Sequence, residues 1–241
     1  VMSSTAAVAL TDHHNVPDYI KAAVASPDRS EDDRKSDAWR KPAEMLTFAG
    51  IKPGMTVLDI NSGGGYYTEM LSSAVGTEGS VIAHNGGIYW DFVKNTVAER
   101  FTGRLANVTQ LHNGHEEIDL EAGSVDVAMM MMAYHDYYHK GESRTKDEDI
   151  PAILATIKDV LKDGGSLIVT DHVALAGSGK DVGETLHRID PEFVKAQVLA
   201  AGFKLAETSE ILANSSDDHT LMVFDKTIRF KTDRFVLKFV K

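Results

Sequence analysis

Val57-Leu58-Asp59-Ile60-Asn61-Ser62-Gly63-Gly64-Gly65-Tyr66-Tyr67-Thr68 is the stretch that decides the fold. The apolar run Met55 to Ile60 follows Pro53-Gly54 and reads as a buried strand. Three glycines follow, and a helix is expected from Tyr66 to Val75. Glycine accepts positive φ angles and puts no Cβ in the path of a ligand. The N–H groups at the start of the following helix can then face that ligand. A tight turn without a ligand has the same local sequence, so what lies beyond the turn must separate the two readings.

Upstream, residues 17 to 50 read as helical. Ser30 with Asp33 suits an N-terminal cap, Pro42 a helix start and Gly50 a helix end. Downstream, strands are expected at Ser80 to His84, Val108 to His112, Val125 to Met132 and Ser166 to Thr170. Helices are expected at Tyr89 to Phe101, Ile150 to Leu161 and Pro191 to Ala201, the last capped by Asp190. Phe203 to Ile211 and Arg234 to Val240 read as final strands with no helix between them. Alternation implies a doubly wound, mostly parallel α/β sheet, and the helix-free link implies one antiparallel strand. The expectation is a Rossmann-like sheet of seven strands in the order 3-2-1-4-5-7-6, with Arg234 to Val240 antiparallel and helices at the N-terminus.

The 241 residues suit one domain, expected over 17–241, after a flexible tail or signal-peptide remnant at 1–16. Ala7-Val8-Ala9 has the small-x-small form of a cleavage site, but no basic residue precedes it. The net charge of −11 argues against a nucleic-acid partner. No apolar run is long enough for a membrane-spanning helix. Cysteine is absent, which excludes disulfides, thiolate metal sites and a cysteine nucleophile. Cytoplasm and periplasm both stay open as the compartment.

Together these features resemble the class I S-adenosylmethionine-dependent methyltransferases, over about residues 40 to 241. The islands Gly63-Gly64-Gly65-Tyr66-Tyr67-Thr68, Tyr134-His135-Asp136, Asp171-His172, His187-Arg188-Ile189-Asp190-Pro191, Asp217-Asp218-His219-Thr220 and Lys231-Thr232-Asp233-Arg234-Phe235 narrow it to a poorly characterised bacterial group, often exported. The resemblance implies S-adenosylmethionine as cofactor. Its amino-acid end is expected by Asp59, Asn61, Ser62, Gly63, Gly64 and Gly65, its ribose by Asn85 and its adenine near Gly114, His115 and Glu116. The sequence departs from the wider family at three of these places. Asn61 replaces a usual glycine, Asn85 a usual acidic residue, and Gly114 a frequent aspartate. A neutral acceptor binds hydroxyls less strongly than a carboxylate, so weak binding is expected.

The histidines give a second signal. His135 and Asp136 follow the fourth strand, Asp171 and His172 end the fifth, His187 precedes Pro191, and His219 lies between the last two strands. In a doubly wound sheet these places lie at the carboxyl edge, where ligands bind. His135, Asp136, His172, His187 and His219 are therefore the candidate catalytic set, with His135 as base beside Asp136 or Asp171. A structural hydrogen-bond network is the bland alternative. The spacings within this set match no helical His-x-x-x-His pattern, so no metal is assigned. Tyr134, Tyr137 and Tyr138 are expected either to line an acceptor pocket or to pack beneath the N-terminal helices. Met129 to Met132 suit a central strand, its later members reaching the cofactor. His13, His14 and His139 read as surface residues, and Asp28 to Lys35 as a solvated helix face. The leading function is methyl transfer to a small molecule. The rivals are a binding protein on the same fold and a histidine-cluster, metal-assisted hydrolase or lyase.

Overall fold

The computed structural model describes residues 15–140, 144 and 146–241. The tail with Ala7-Val8-Ala9, His13 and His14 lies outside the described residues, as does Gly141-Glu142. Among the described residues three helices come first: α1 (Asp18–Val24), α2 (Glu31–Arg40) and α3 (Pro42–Ala49). The Ser30 side chain accepts from Asp33 N–H to cap α2, and Gly50 ends α3 in the left-handed region at φ 77°. Then follow β1 (Thr56–Ile60), α4 (Tyr66–Val75), β2 (Ser80–His84), α5 (Ile88–Phe101), β3 (Val108–Leu111), β4 (Val125–Met131) and α6 (Ile150–Val160). The chain closes with β5 (Leu161–His172), α7 (Gly183–Leu186), α8 (Pro191–Ala200), β6 (Lys204–Ser209) and β7 (Arg234–Val240).

The seven strands lie in the order β3-β2-β1-β4-β5-β7-β6, as expected. β7 runs antiparallel to both neighbours, and the other pairs are parallel. Most boundaries fall within two residues of expectation, and the largest difference is in β5. β5 begins at Leu161, which pairs with Val125, and its register then jumps so that Ser166 pairs with Val127. The Asp163-Gly164-Gly165 turn is thus an irregularity inside the strand, not a break before it.

Alternate strand residues build two cores, because successive side chains point to opposite faces. Leu58, Ile60, Met130 and Val169 pack with Ile153, Leu154 and Ile157 of α6 and Val194 of α8. Val57, Met129 and Ile168 pack with Met45 and Leu46 of α3 and Met70 and Leu71 of α4. Both faces are covered, so the carboxyl ends of β1, β4 and β5 are left as the sheet's open edge. The charged stretch at 28–35 is only partly solvated. Arg29 is buried, donating to Asp37 at 2.6 and 2.8 Å and to the Val24 carbonyl at 2.5 Å.

Candidate active site

The glycine turn leaves β1 in a strained form. Asn61, Gly63 and Gly65 all have positive φ, at 51°, 57° and 87°. At Gly65 a Cβ would come within 2.6 Å of the Phe101 ring, so the end of α5 can pack here only over glycine. At Gly63 a Cβ would meet no protein atom within 4 Å, and this residue lines the main cleft. Asp59 does not. It is buried beneath the turn, accepts from the Thr68 hydroxyl at 2.7 Å, and so latches β1 to α4. Burial pushes its carboxyl up to about 7, against the pull of that hydroxyl.

Asn85 also has a different task from the one expected of it. Its Oδ1 accepts from Gly63 N–H at 2.9 Å, and its Nδ2 donates to Ser62 Oγ at 2.9 Å and to the Gly63 carbonyl at 3.2 Å. The side chain is buried and occupied in holding the turn. His115 is buried too, its Nε2 2.7 Å from Asn61 Oδ1 and its ring edge-on to His84 and Tyr137. Burial pulls the His115 imidazolium down to about 3 and that of His84 to about 4. Glu116 is exposed, and its carbonyl accepts from Thr156 on α6. Asp59, Asn85, His115 and Glu116 therefore support or lie beside the turn without lining the cleft, because their side chains face inward or away. Asn61, Ser62, Gly63 and Gly64 do line it.

Across the cleft, His135 stands after β4 against the end of β5. Asp171, fully buried, binds it twice: Oδ2 accepts from the His135 backbone N–H and Oδ1 meets Nδ1, both at 2.8 Å. The other ring nitrogen, Nε2, lies 3.2 Å from Asp136 Oδ1 and 3.3 Å from His187 Nδ1. The remaining separation in this group, His187 Nδ1 to Asp136 Oδ1, is 4.0 Å. Tyr89, at the start of α5, donates its hydroxyl to Asp136 Oδ2. Burial alone would depress the His135 imidazolium, but Asp171 and Asp136 outweigh it and push it up to about 10. Burial and the His135 charge hold His172 well below its usual range, and the same two causes lower His187. His172 Nδ1 is engaged by Thr232 Oγ1 at 2.7 Å.

His219 does not join this group. Its Nε2 lies 2.9 Å from Asp233 Oδ2 and its N–H is taken by Asp217, so it braces the link before β7 instead. His139 is closer to the site than a surface reading allowed, its ring tilted against that of His187 at 4.9 Å. Tyr134 and Tyr138 neither line the cleft nor lie under the N-terminal helices. Both donate to Gln197 of α8, at 3.0 and 2.9 Å.

The turn and the histidines face one cavity of about 530 Å³. His135, Asp136, His172 and His187 share its wall with Met131, Met132 and Tyr89. Arg40 and Asp33 of α2, Tyr66 of α4 and Arg100 of α5 close another side. Arg100 is fixed by Asp33 at 2.7 Å, and Arg40 lies 4.5 Å from the Tyr66 ring centre. None of these four, nor Tyr89, was named as a site residue from the sequence, and only Tyr66 and Tyr89, each close to a glycine turn, carried a local signal.

The family model described as protein-L-isoaspartate(D-aspartate) O-methyltransferase matches residues 21–172, which run from α1 through the glycine turn to the end of β5. The chain belongs to that family. This methyltransferase is 25% identical over 194 residues to the ubiquinone/menaquinone biosynthesis C-methyltransferase UbiE of Idiomarina loihiensis, covering 80% of its own length and 66% of the relative's. It is 30% identical over 135 residues to the demethylmenaquinone methyltransferase of Staphylococcus aureus, covering 54% and 47%. It thus spans about two thirds and about half of these relatives. A solved SAM-dependent methyltransferase from Aquifex aeolicus shares the fold, with a TM-score of 0.57, 21% identity, and coverage of 88% and 99%. The chain is a class I S-adenosylmethionine-dependent methyltransferase, and S-adenosylmethionine is its cofactor.

The cleft fits that cofactor at the turn. Its volume lies in the range of small-molecule sites. The open space over Gly63 is where a Cβ would stand in any other residue. The fit is poorer at the ends of β2 and β3, where Asn85 is occupied and His115 is folded onto Asn61.

Proposed function

We propose that this methyltransferase acts on a small molecule bound in the same cleft, between the glycine turn and the histidine wall. The observation that carries this is the shared cavity of about 530 Å³, lined on one side by Asn61 to Gly64 and on the other by His135, Asp136, His172 and His187. The cofactor, when bound, supplies an electrophilic methyl group. The chain's own part is mainly to align the acceptor with it, since fixed geometry removes much of the barrier to a two-body step. In this reading Asn61 to Gly64 hold the cofactor's amino-acid end and Met131 and Met132 pack against its body. His135, held in place by Asp171, orients the acceptor. His172, with one ring nitrogen engaged by Thr232, lines the acceptor's side of the cleft beside it. The names of the two relatives, both concerned with quinones, support a small acceptor, whereas the family's name points to a protein.

The test is to supply methyl-labelled cofactor together with separated small-molecule and macromolecular fractions of a cell extract. Label should pass to the small-molecule fraction. Transfer confined to protein or nucleic acid would contradict the proposal.

A further inference from the structure

We infer that His135, Asp136 and His187 form a binding site for one divalent transition-metal cation, zinc-like in its ligand preference, on the wall of the cleft. Three ligand-capable atoms converge there from two places in the chain: His135 Nε2 and Asp136 Oδ1 after β4, and His187 Nδ1 at the end of α7. Their separations of 3.2, 3.3 and 4.0 Å place all three about 2.1 Å from a common point, the length of a zinc–nitrogen or zinc–oxygen bond. A cation bound by the two imidazole nitrogens, which face each other at 3.3 Å, would also satisfy the carboxylate.

The surroundings are built as metal sites usually are. A ligating histidine commonly gives its other ring nitrogen to a carboxylate, which fixes the tautomer and ring orientation. Asp171 does this for His135 through Nδ1, leaving Nε2 for the cation. Tyr89 holds Asp136 through Oδ2, and Oδ1 faces His135 Nε2. The His187 ring is flanked by those of His139 at 4.9 Å and Phe224 at 5.1 Å. The next residue, Arg188, is fully buried and tied to Asp217, which anchors the backbone that carries His187.

Three protein ligands leave coordination positions free, the pattern of a site that takes up a further ligand. All three residues line the cavity, so those positions open onto it. The matching ligand is a molecule with a hydroxyl or carboxylate oxygen, whose proton the cation would make easier to lose. That consequence rests on the acceptor occupying this cleft; the cation site itself does not.

The test uses the full chain, stripped with a chelator and free of S-adenosylmethionine. Zinc uptake is followed by calorimetry, and cobalt uptake by its visible absorption. One cation per chain is expected. His187→Ala and Asp136→Asn should each weaken binding by at least about 100-fold, beyond the loss typical of outer-shell changes. Circular dichroism should show both variants folded, and His219→Ala should bind as the wild type does. No saturable uptake by the wild type would overturn the inference, with the group then being a proton-sharing network only. Uptake unchanged in His187→Ala would equally overturn it, by placing the cation elsewhere. Because no cofactor is present, failure of the methyl-transfer proposal leaves this result untouched.

Discussion

At the residue scale, Asn85 shows how one side chain can be chemically suitable for a task and geometrically committed to another. Family resemblance puts a ribose-binding acid at its position, so Asn85→Asp would be expected to strengthen cofactor binding. Its contacts imply the reverse. The amide nitrogen that donates to the Gly63 carbonyl would become an oxygen facing an oxygen. Asn85→Asp should therefore weaken cofactor binding and lower stability by about 1–3 kcal/mol. Calorimetry with S-adenosylmethionine and urea unfolding check this, and tighter binding would contradict it. Asp59 makes a pH-dependent prediction. Its carboxyl ionises near 3.8 in the unfolded chain and near 7 in the folded one. Below 3.8 the two states hold the proton alike. Between 3.8 and about 7 the unfolded state gains by ionising, so stability falls as pH rises, and above 7 the loss is complete. Asp59→Asn should remove this slope, raising stability at pH 8 relative to its effect at pH 3.5 by up to about 4 kcal/mol. Equal effects at the two pH values would show that the buried carboxyl does not titrate in this way.

At the scale of elements, the link from β5 to α8 and the link from β6 to β7 are joined by one buried ion pair. Arg188 donates to Asp217 at 2.8 and 3.1 Å and to the carbonyls of Val173 and Leu221. Asp217 also accepts the backbone N–H groups of His219 and Asp233. Removing one partner of such a pair leaves a buried charge unmatched, so Arg188→Met should cost about 3–5 kcal/mol in chemical denaturation. Adding Asp217→Leu should restore only part of this, because the two backbone donors would lose their acceptor as well. Full recovery in the double variant would contradict that account of Asp217. The pair also explains why His187 can hold φ 53° at the end of α7: the backbone on its far side is fixed.

At the scale of the whole molecule, strand order was legible because parallel crossovers need helices and the last link has none. The helix-free link made β7 antiparallel to β6, and the family resemblance put it between β5 and β6. The carboxyl edge was legible for the same reason, and it brought His135, His172 and His187 together correctly. What the sequence could not show was the direction of each side chain. Asn85 and His115 end up turned toward the glycine turn, and His219, at the right edge, turns to Asp233. Nor could it show pairings far apart in the chain. Asp33 and Arg40 lie in a stretch whose polarity suits solvent, yet α2 folds over the cleft and Arg100 meets Asp33 from 67 residues away. The central claim is that the turn from Asn61 to Gly64 is the cofactor's seat on the wall of this cleft. Calorimetry of S-adenosylmethionine against wild type, Gly63→Leu and Gly123→Leu tests it most directly. Both leucines enter left-handed positions with open space around them, φ 57° and 67°, so both carry a similar backbone strain of about 1–2 kcal/mol. Only the first stands on the cleft. The account predicts saturable heat from the wild type and Gly123→Leu and none from Gly63→Leu; no heat from the wild type at millimolar cofactor, or binding unchanged in Gly63→Leu, would contradict it.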